Sequence, residues 1–468
     1  MTPLANNIVR LKSFVDRDEE LEIIRAKLEA IKPGKWLFNF IIRISGIPGI
    51  GKSNLLDKIK TTAEQQNIHT IFIKYEKDVE KLYIIKKISE LLFSDTTDWQ
   101  DALKTYNEDQ TRKYSFNRLI DIFASNLSKK LENTPLVLLI DDSHYIDENS
   151  QDIMEDVLER IYNKNRMLLV IAGRADLRWK SFELRRRTQA IPLDCFQEKD
   201  TAQLLSEPNP VLSKKVYRLT HGYPLASVKA YQWIFDNIEL TASDFNNQLE
   251  NKEVDLIFDL VNCILADRIL THISDKEHRE KIDGLLKKVC PLRRFDDILL
   301  DDFLPVIEPN KFIERNTMAT RSYIRQMAIA TYIVQWNSAK MAYSLDYSMR
   351  RLFALEMKFR NKPMLINIHK SMMDWYQKAI DDSSDKSAPH TVLYLIEHIF
   401  HFAHFSQLTN TIEQMGFEIQ KKIARQFEGY YPREKNHFYE EFRNDAELIE
   451  LLGDNSDQLK NVVESKLK

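Results

Sequence analysis

The sequence predicts an α/β domain built on a parallel sheet with helices on both faces, followed by a longer part that is mainly helical. Up to Leu193, short runs of apolar and β-branched residues alternate with amphipathic patterns, as in strand–helix–strand units. One of these runs enters a glycine-rich turn and then a helical pattern. From Glu198 onward, apolar residues recur at helical spacing. A chain of 468 residues has room for about two to four domains.

The composition sets few limits on the partners of this chain. Hydrophobic residues make up 43% and charged residues 29%, with a net charge of −3, so neither a nucleic acid nor an anionic membrane is required as a partner. Residues 1–7 lack the charged start and apolar core of a signal peptide, and apolar runs such as 136–140 are too short to span a bilayer. Three separated cysteines without a C-x-x-C pair favour a reducing compartment. We therefore expect a cytoplasmic protein that does not use a membrane.

The first predicted helix begins in the acidic stretch at residues 16–22. Carboxylates at the start of a helix are favoured by the helix dipole. Leu21, Ile24 and Leu28 lie at helical spacing and give this helix an apolar face. By itself, this pattern is typical of a capped surface helix.

A phosphate-binding loop is the clearest motif in the chain. The apolar run at residues 38–45 predicts a strand, GIPGIGKS at residues 46–53 fits the pattern G-x-x-x-x-G-K-[ST], and a helical pattern follows. Glycines allow successive backbone N–H groups to face an anion, and the helix points the positive end of its dipole at the same anion. Lys52 can reach the β- and γ-phosphates of a nucleotide, and the Ser53 hydroxyl can bind Mg²⁺. The predicted nucleotide contacts in this stretch are Gly46, Pro48, Gly49, Ile50, Gly51, Lys52, Ser53 and Asn54.

The elements after this loop continue the α/β pattern. Residues 69–75 predict a strand, and residues 79–93 and 116–131 predict two amphipathic helices. The polar stretch at residues 94–113, which separates the two helices, predicts a loop or a short helix.

Two carboxylates follow the next predicted strand. Residues 136–140 are fully apolar, which suits a central parallel strand that is buried on both faces, and Asp141 and Asp142 come next. Because ligands bind at the carboxyl edge of open α/β sheets, Asp141 is placed to hold Mg²⁺ through water or beside the Ser53 hydroxyl. Asp142 can orient or polarise the attacking water as a catalytic residue. An acidic turn without a function is the alternative, and the phosphate loop upstream argues against it.

An arginine follows the fourth predicted strand. A helix is predicted at residues 150–163 and a buried strand at residues 167–173. We expect Arg174 to lie between the ends of the first and third strands and to sense the γ-phosphate as a third catalytic group beside Lys52 and Asp142. A surface arginine in a turn is an equally good interpretation of the local sequence.

The helical part of the chain is interrupted at two places. Gly222 and Pro224 separate two helices, with the proline near the first turn of the second helix. Residues 333–336 and 342–345 predict a short hairpin after a helix at residues 322–330, an order that suggests a winged helix. The predicted domains are a nucleotide-binding domain at residues 10–196, a helical lid at 197–275, a winged helix at 276–358 and C-terminal helices at 359–468.

Three histidines in the C-terminal helices are spaced three residues apart. His398, His401 and His404 are candidates for metal ligands, but they spread around more than half of the helix, so packing or surface positions are the better interpretation. Beyond Asn444 the chain is polar and charged, and we expect a loosely ordered tail there.

Taken together, these motifs resemble those of STAND-type P-loop ATPases. This signal-transducing branch of the AAA+ relatives includes bacterial transcription activators and NLR immune receptors, and the resemblance covers about residues 10–355. FVDRDEEL at residues 14–21 is similar to the family's F-V-G-R-E-x-E-L, with Asp16 at the glycine position. LIDDSHYID at residues 139–147 is similar to h-h-D-D-x-H-W-x-D, and residues 222–224 match the G-x-P motif. Arg174 falls on the family's sensor arginine.

The resemblance implies an ATP-dependent molecular switch that hydrolyses ATP slowly. In the family, the segment that here contains Phe14, Val15 and Arg17 closes over the adenine, and the proline that matches Pro224 packs on it. ADP would hold the closed state, and ATP with Mg²⁺ and a trigger would permit assembly with itself or with a protein partner. Many members carry a histidine that contacts the β-phosphate after the winged helix, and Asp346 stands in that region here.

An AAA+-type DNA-binding ATPase, similar to replication initiators or transposition helpers, is the alternative function. Such proteins also join a P-loop core to a winged helix, and a DNA-binding wing requires a concentrated basic face. The D-D-x-H and G-x-P motifs favour the switch, and the presence of both motif carboxylates and Lys52 argues against an inactive scaffold. The predicted wing has a modest excess of basic over acidic residues. Its acidic residue is Asp346, and its basic residues are Arg321, Arg325, Lys340, Arg350 and Arg351.

Overall fold

The computed structural model describes most of the chain as two compact units, which divide between Phe245 and Asn246. The finer division into four domains stays a prediction. No helix among the described residues is long and apolar enough to cross a membrane. The described residues are 14–33, 35, 37–108, 113–163, 166–174, 177–206, 209–238, 245–271, 273–308, 317–337, 341–383 and 389–467.

The first unit is built on a parallel sheet. Its strands are β1 (Ile41–Ser45), β2 (His69–Lys74), β3 (Leu136–Asp141), β4 (Met167–Gly173) and β5 (Thr188–Pro192). They pair in the order β2-β3-β4-β1-β5, and every pair is parallel. β3 and β4 are buried along their whole length, as expected for apolar runs covered on both faces. The predicted α/β fold class and each predicted strand of the sheet are confirmed.

This strand order brings three predicted site segments to one edge of the sheet. β4 lies between β1 and β3, so the loop after β1, the carboxylates at the end of β3 and Arg174 after β4 follow neighbouring strands. Because the strands are parallel, their carboxyl ends share one edge. The expected position of Arg174 between the other two segments is confirmed.

Helices surround this sheet and complete the first unit. They are α1 (Asp18–Ile31), α2 (Lys52–Gln65), α3 (Tyr83–Leu92), α4 (Thr97–Glu108), α5 (Lys113–Asn133), α6 (Glu148–Ile161), α7 (Phe182–Arg186), α8 (Glu198–Leu205), α9 (Pro210–Thr220) and α10 (Pro224–Asn237).

Helix α4 shows what the polar stretch between the two predicted helices contains. This helix has 12 residues and buries Trp99, Ala102 and Tyr106. Those three side chains share one face, since they lie three and four residues apart. The indole ring of Trp99 packs against the ring of Phe123 in α5, with 5.7 Å between the ring centres. The helix therefore depends on a few aromatic contacts rather than on a continuous apolar stripe.

The described residues of the second unit form helices and one hairpin. In the part that the structure describes, β6 (Val334–Asn337) and β7 (Ala342–Leu345) pair in antiparallel fashion, which confirms the predicted hairpin. That this hairpin belongs to a winged helix stays a prediction. The helices are α11 (Phe245–Ile264), which a π-helical segment (Leu265–Ile269) follows, and α12 (Lys276–Val289), α13 (Asp297–Ile307), α14 (Thr317–Thr331), α15 (Tyr347–Arg360), α16 (Lys362–Asp381), α17 (Pro389–Thr409), α18 (Ile412–Phe427), α19 (Pro432–Asn444), α20 (Ala446–Leu452) and α21 (Asn455–Leu467).

Asp346 has a local structural role after the hairpin. Its carboxylate accepts hydrogen bonds from the backbone N–H groups of Ser348 at 3.1 Å and Met349 at 3.2 Å. These contacts make it the N-cap of α15, where a carboxylate satisfies backbone donors that have no partner within the helix. The aspartate therefore fits this position for a reason that does not involve a phosphate.

The prediction of a loosely ordered tail beyond Asn444 is wrong. Helices α20 and α21 place Leu448, Leu459 and Val463 in the core of the second unit, each with 0% exposure. Most of the described charged residues in this stretch are exposed, among them Glu450, Asp454, Asp457 and Glu464, so average polarity hides the apolar positions at helical spacing.

The C-terminal histidines pack inside the helical unit, in agreement with the preferred interpretation. His401 is fully buried, and its Nδ1 lies 2.9 Å from Nδ1 of His369. The Nδ1 of His398 lies 3.1 Å from the carbonyl oxygen of Met373. The described residues contain no group of three or more histidine, cysteine or acidic side chains that could hold a metal ion.

Candidate nucleotide-binding site

The phosphate loop joins β1 to α2 and turns through left-handed backbone conformations. Gly49 has φ 80° and Gly51 has φ 103°, a region that residues with a Cβ atom rarely adopt. Gly51 is also the N-cap of α2, so the first N–H groups of this helix are directed at the loop. The loop and the helix start thus have the form of an anion-binding nest.

The carbonyl groups of this loop are bonded to side chains, one from within the motif and two from other parts of the first unit. Lys52 Nζ donates to the carbonyl oxygens of Gly46 at 2.7 Å and Ile47 at 3.0 Å. The Tyr223 hydroxyl donates to the carbonyl oxygen of Pro48. Arg17 Nη2 donates to the carbonyl oxygen of Ile50 at 3.3 Å. The Ile47 carbonyl also accepts from the backbone N–H of Ile50 at 3.3 Å, whereas side chains are the donors to all four carbonyl groups.

Lys52 lies where the predicted catalytic groups meet. Its side chain is buried, and this desolvation lowers the pKa of the ammonium group to about 8. The positive charge of Arg174 contributes to this lowered pKa, whereas the carboxylates of Asp141 and Asp142 act against it. The structure therefore brings these four predicted residues close enough to act on one another's charge.

The two carboxylates at the end of β3 differ in their surroundings. Asp141 is buried, and its Oδ1 accepts a hydrogen bond of 2.8 Å from the backbone N–H of Asp142. Asp142 has φ 55° and is half-buried. Burial raises the pKa of its carboxyl group, the negative charge of Asp141 raises it further, and Lys74, Arg174 and Lys52 oppose both effects. A carboxyl group with a raised pKa is a better proton acceptor than an ordinary aspartate.

Lys74 and His144 also lie beside Asp142. His144 is the histidine of the D-D-x-H motif, whereas the sequence alone did not single out Lys74. Lys74 ends β2, and its Nζ is 3.9 Å from Asp142 Oδ2. His144 Nδ1 is 4.0 Å from Asp142 Oδ1, and its side chain is nearly fully buried. The position of Lys74 follows from the parallel pairing of β2 with β3, which sets it opposite Asp141. His144 lies in the short 3-10 helix Ser143–Tyr145 that directly follows Asp142.

Arg174 has a feature that suits an anionic ligand. Its Nη1 atom is buried and has no hydrogen-bond partner among the residues that the structure describes. Gly173, just before it, packs against Ser143, and a Cβ atom at Gly173 would overlap the Ser143 hydroxyl. A buried N–H donor without an acceptor is costly, and a phosphate oxygen would satisfy the Nη1 atom.

The segment before α1 reaches the loop through Arg17. Asp16 and Arg17 have φ values of 58° and 76°, so the aspartate adopts the left-handed turn that a glycine would supply. The Arg17 guanidinium is buried, donates to the carbonyl oxygen of Asp194 at 2.7 Å, and lies 4.8 Å from the centre of the Phe196 ring. Val15 is also buried. Arg17 thus fastens this segment both to the loop and to the chain after β5.

The Phe14 side chain, in contrast, lies partly in solvent near α2. It is half-buried, and the Nζ atom of Lys58 is 5.9 Å from the centre of its ring. The predicted adenine contact of Phe14 therefore stays a prediction.

The corner between α9 and α10 lies against the phosphate loop. Gly222 has φ 73°, and a Cβ atom there would overlap the carbonyl oxygen of Phe196. Tyr223 is fully buried, and Pro224 is the buried first residue of α10. The sequence predicted a contact for the proline, but it gave no indication of the bond from Tyr223 to the loop, because the partners are 175 residues apart.

Oxygen ligands for Mg²⁺ are present at this edge of the sheet. Ser53 and Asn54 are exposed in the first turn of α2, and Asp141 ends β3. Mg²⁺ usually binds one or two carboxylates together with water and substrate phosphates, rather than a cage of protein ligands. The hydroxyl of Ser53 and the carboxylate of Asp141 fit this donor chemistry.

The fold and these residues define a P-loop domain of the AAA+ class. A glycine-rich loop with its lysine, strand-end carboxylates and an arginine meet at the carboxyl edge of a parallel sheet. Residues 13–171 match the family model of the AAA ATPase domain. This part of the chain is therefore an AAA ATPase domain, as its motifs predict. None of the curated proteins matches the sequence.

The solved structures to which this chain is similar include the following three. Cdc6p from Pyrobaculum aerophilum is 14% identical, with 75% of this chain and 97% of that chain covered and a TM-score of 0.37. A STAND protein with a tetratricopeptide repeat sensor from Pyrococcus horikoshii is 13% identical, with 98% and 68% covered and a TM-score of 0.34. AMPPCP-bound DnaA from Aquifex aeolicus is 15% identical, with 69% and 92% covered and a TM-score of 0.32. Similarity this low does not assign a function.

Proposed function

We propose that this protein is an ATP-binding molecular switch that hydrolyses ATP slowly and controls assembly with itself or with a protein partner. The observation that carries this proposal is the position of Lys52. It lies under the phosphate loop and within the electrostatic reach of Asp141, Asp142 and Arg174. A cation between an anion nest and two carboxylates suits a bound Mg²⁺–nucleotide, whose phosphates would face the cation and whose metal would face the carboxylates.

Each of these side chains has a role in the proposed reaction. The loop N–H groups and Lys52 bind the β- and γ-phosphates, and the Arg174 guanidinium stabilises charge on the γ-phosphate. Asp142 orients the attacking water and accepts its proton, which its raised pKa favours. Ser53 and Asp141 would hold Mg²⁺, which supplies charge neutralisation for the phosphates when it is bound.

The α9–α10 corner supports a switch rather than a simple hydrolase. Pro224 begins α10 directly after Tyr223, whose hydroxyl is bonded to the loop. A nucleotide in the loop would therefore affect the position of a helix outside the sheet. The resemblance to STAND ATPases supports the same interpretation, in which ADP maintains a closed state and ATP releases it.

The ion pairs of the second unit argue against DNA binding as the alternative function. Of the basic residues in the predicted wing, Arg321 is paired with Asp297, Arg350 with Glu447 and Arg351 with Glu450. Arg350 is also buried. Lys340 lies outside the described residues. Charges that are already neutralised contribute little to the release of counterions from DNA, so the switch is the better-supported function.

The test compares the wild type with Lys52→Ala. We expect the purified wild type to carry ADP, to assemble in solution only when ATP and Mg²⁺ replace it, and to hydrolyse ATP slowly. Lys52→Ala should lose the bound nucleotide and the change in mass, as measured by extraction with chromatography and by light scattering. An empty wild-type site, or identical behaviour of both proteins, would refute the proposal. Binding to DNA that weakens steeply with salt would then favour the alternative.

A further inference from the structure

We infer that Tyr223 is a positioning residue of the phosphate loop, and that its hydroxyl holds the N–H of Gly49 in the direction of the bound phosphates. This inference rests on the nucleotide site proposed above and adds a specific residue to it. The Tyr223 hydroxyl donates to the carbonyl oxygen of Pro48. That carbonyl belongs to the same peptide group as the N–H of Gly49.

The geometry of the peptide group links these two contacts. A trans peptide is planar, and its C=O and N–H bonds point in opposite directions. The structure contains no cis peptide bond among its described residues. A donor that fixes the Pro48 carbonyl on the outer side of the loop therefore directs the Gly49 N–H to the inner side, where a nest binds an anion. Without this donor, the peptide before a glycine can rotate with little steric resistance.

The surroundings of Tyr223 leave its hydroxyl little freedom to move away. The residue is fully buried. Leu225 packs against the same part of the loop, since a Cβ atom at Gly49 would lie 2.7 Å from both the Leu225 Cβ and the Tyr223 hydroxyl. On its other side, the corner is fastened by the hydrogen bond of 2.9 Å from the Phe196 N–H to the Gly222 carbonyl oxygen. The hydroxyl is thus held at the loop by packing on two sides.

The consequence is that the position of the α9–α10 corner and the affinity of the loop for phosphate depend on each other. A movement of the α9–α10 corner would release the Pro48 carbonyl and remove one directed donor from the nest. By thermodynamic linkage, binding of the phosphates would stabilise the corner by the same amount of free energy. Tyr223 would then be the group through which the corner and the loop affect each other.

Tyr223→Phe tests this inference, because it removes the hydroxyl and keeps the ring. The matched control is Tyr217→Phe, the same replacement at a half-buried position of α9. We expect Tyr223→Phe to weaken ADP binding about tenfold, as for the loss of one directed bond to a charged group, without a comparable change in unfolding temperature. The control should bind ADP as the wild type does. Isothermal titration calorimetry and thermal unfolding provide both measurements.

A spectroscopic measurement separates positioning from a purely structural role. The sequence has two Pro-Gly pairs, at residues 33–34 and 48–49, so labelling with ¹³C′-proline and ¹⁵N-glycine selects only the amides of Gly34 and Gly49. We expect ADP to shift the Gly49 amide resonance downfield in the wild type, and to shift it less in Tyr223→Phe at saturating ADP. Gly34 serves as the internal reference.

The outcomes distinguish this inference from the proposed function. If the wild type binds ADP and Tyr223→Phe binds it within about twofold of the wild type, with the same Gly49 shift, the positioning role is refuted and the nucleotide site stands. If the wild type binds neither ADP nor ATP and behaves like Lys52→Ala, the nucleotide site itself is refuted.

Discussion

Arg17 offers the sharpest test of how the first unit supports its loop. The guanidinium donates to the carbonyl oxygens of Ile50 at 3.3 Å and Asp194 at 2.7 Å and is buried. Hydrogen bonds from a charged donor contribute roughly 1.5–3 kcal/mol each. We assign about 1 kcal/mol to the longer bond and about 2 kcal/mol to the shorter one. Arg17→Ala should therefore destabilise the contact of this segment with the loop by about 3 kcal/mol.

The control for this prediction lies on α1, the helix that begins directly after Arg17. Arg25 forms an exposed ion pair with Glu22 at 3.6 Å, and such pairs contribute about 0.5 kcal/mol or less. Because the chain has two compact units, global unfolding need not be two-state. Hydrogen exchange of the peptides that contain α1 and the phosphate loop measures the local free energy of opening instead.

The expected results differ clearly between the two variants. Arg17→Ala should speed exchange in both peptides by about two orders of magnitude and weaken ADP binding, whereas Arg25→Ala should change neither. Arg17→Lys should restore only part of the loss, since a single ammonium group cannot reproduce the planar fork of a guanidinium. A change below about 1 kcal/mol for Arg17→Ala, or equal changes for Arg17→Ala and Arg25→Ala, would refute the reasoning.

Three further predictions concern the carboxylate edge and the second unit. ATPase activity should fall as the pH is lowered through the raised pKa of Asp142, because the carboxylate becomes protonated. Lys74→Ala should move this acidic limb of the pH–rate profile to higher pH, because it removes a charge that lowers the pKa of Asp142. An acidic limb at the same pH in both proteins would contradict this prediction. Gly173→Ala should reduce ATPase activity more than ADP affinity, since the new Cβ displaces Ser143, which follows Asp142. Equal losses of ATPase activity and of ADP affinity would contradict this prediction. Burial lowers the pKa values of His369 and His401, so stability of the second unit should fall below about pH 6.5, where unfolded histidines take up protons. Chemical denaturation across this pH range measures the effect. Replacement of both histidines by leucine should reduce it but not remove it, because burial also lowers the pKa values of His398 and His404.

The sequence was sufficient to predict the sheet and the segments at its edge. Strands such as β3 and β4 were evident because β-branched and apolar runs have few alternatives in a chain of this polarity. The position of Arg174 followed from a single topological expectation, which the strand order confirms. These features depend on local sequence patterns and on general rules of parallel sheets, so they could be predicted without knowledge of contacts between residues that are distant in the sequence.

The contacts that hold the loop could not be predicted in this way. Arg17 and Tyr223 bond to loop carbonyls that are 33 and 175 residues away in the sequence. Their motifs indicated a nucleotide nearby, but they did not indicate that the side chains support the loop backbone. Average polarity was equally misleading for α21, whose Leu459 and Val463 are fully buried. In both cases the deciding information lies in tertiary packing.

The distribution of donors around the loop gives a physical reason for a switch. Lys52 bonds to two carbonyls from within the motif, whereas Arg17 and Tyr223 reach the loop from segments that are separate in the sequence. A loop that was fixed by its own residues alone would bind phosphate in the same way whatever the rest of the domain did. Because two of the donors come from segments outside the motif, the orientation of the nest, and therefore its affinity for phosphate, depends on where those segments lie. A trigger that displaces either segment would consequently release nucleotide without touching it.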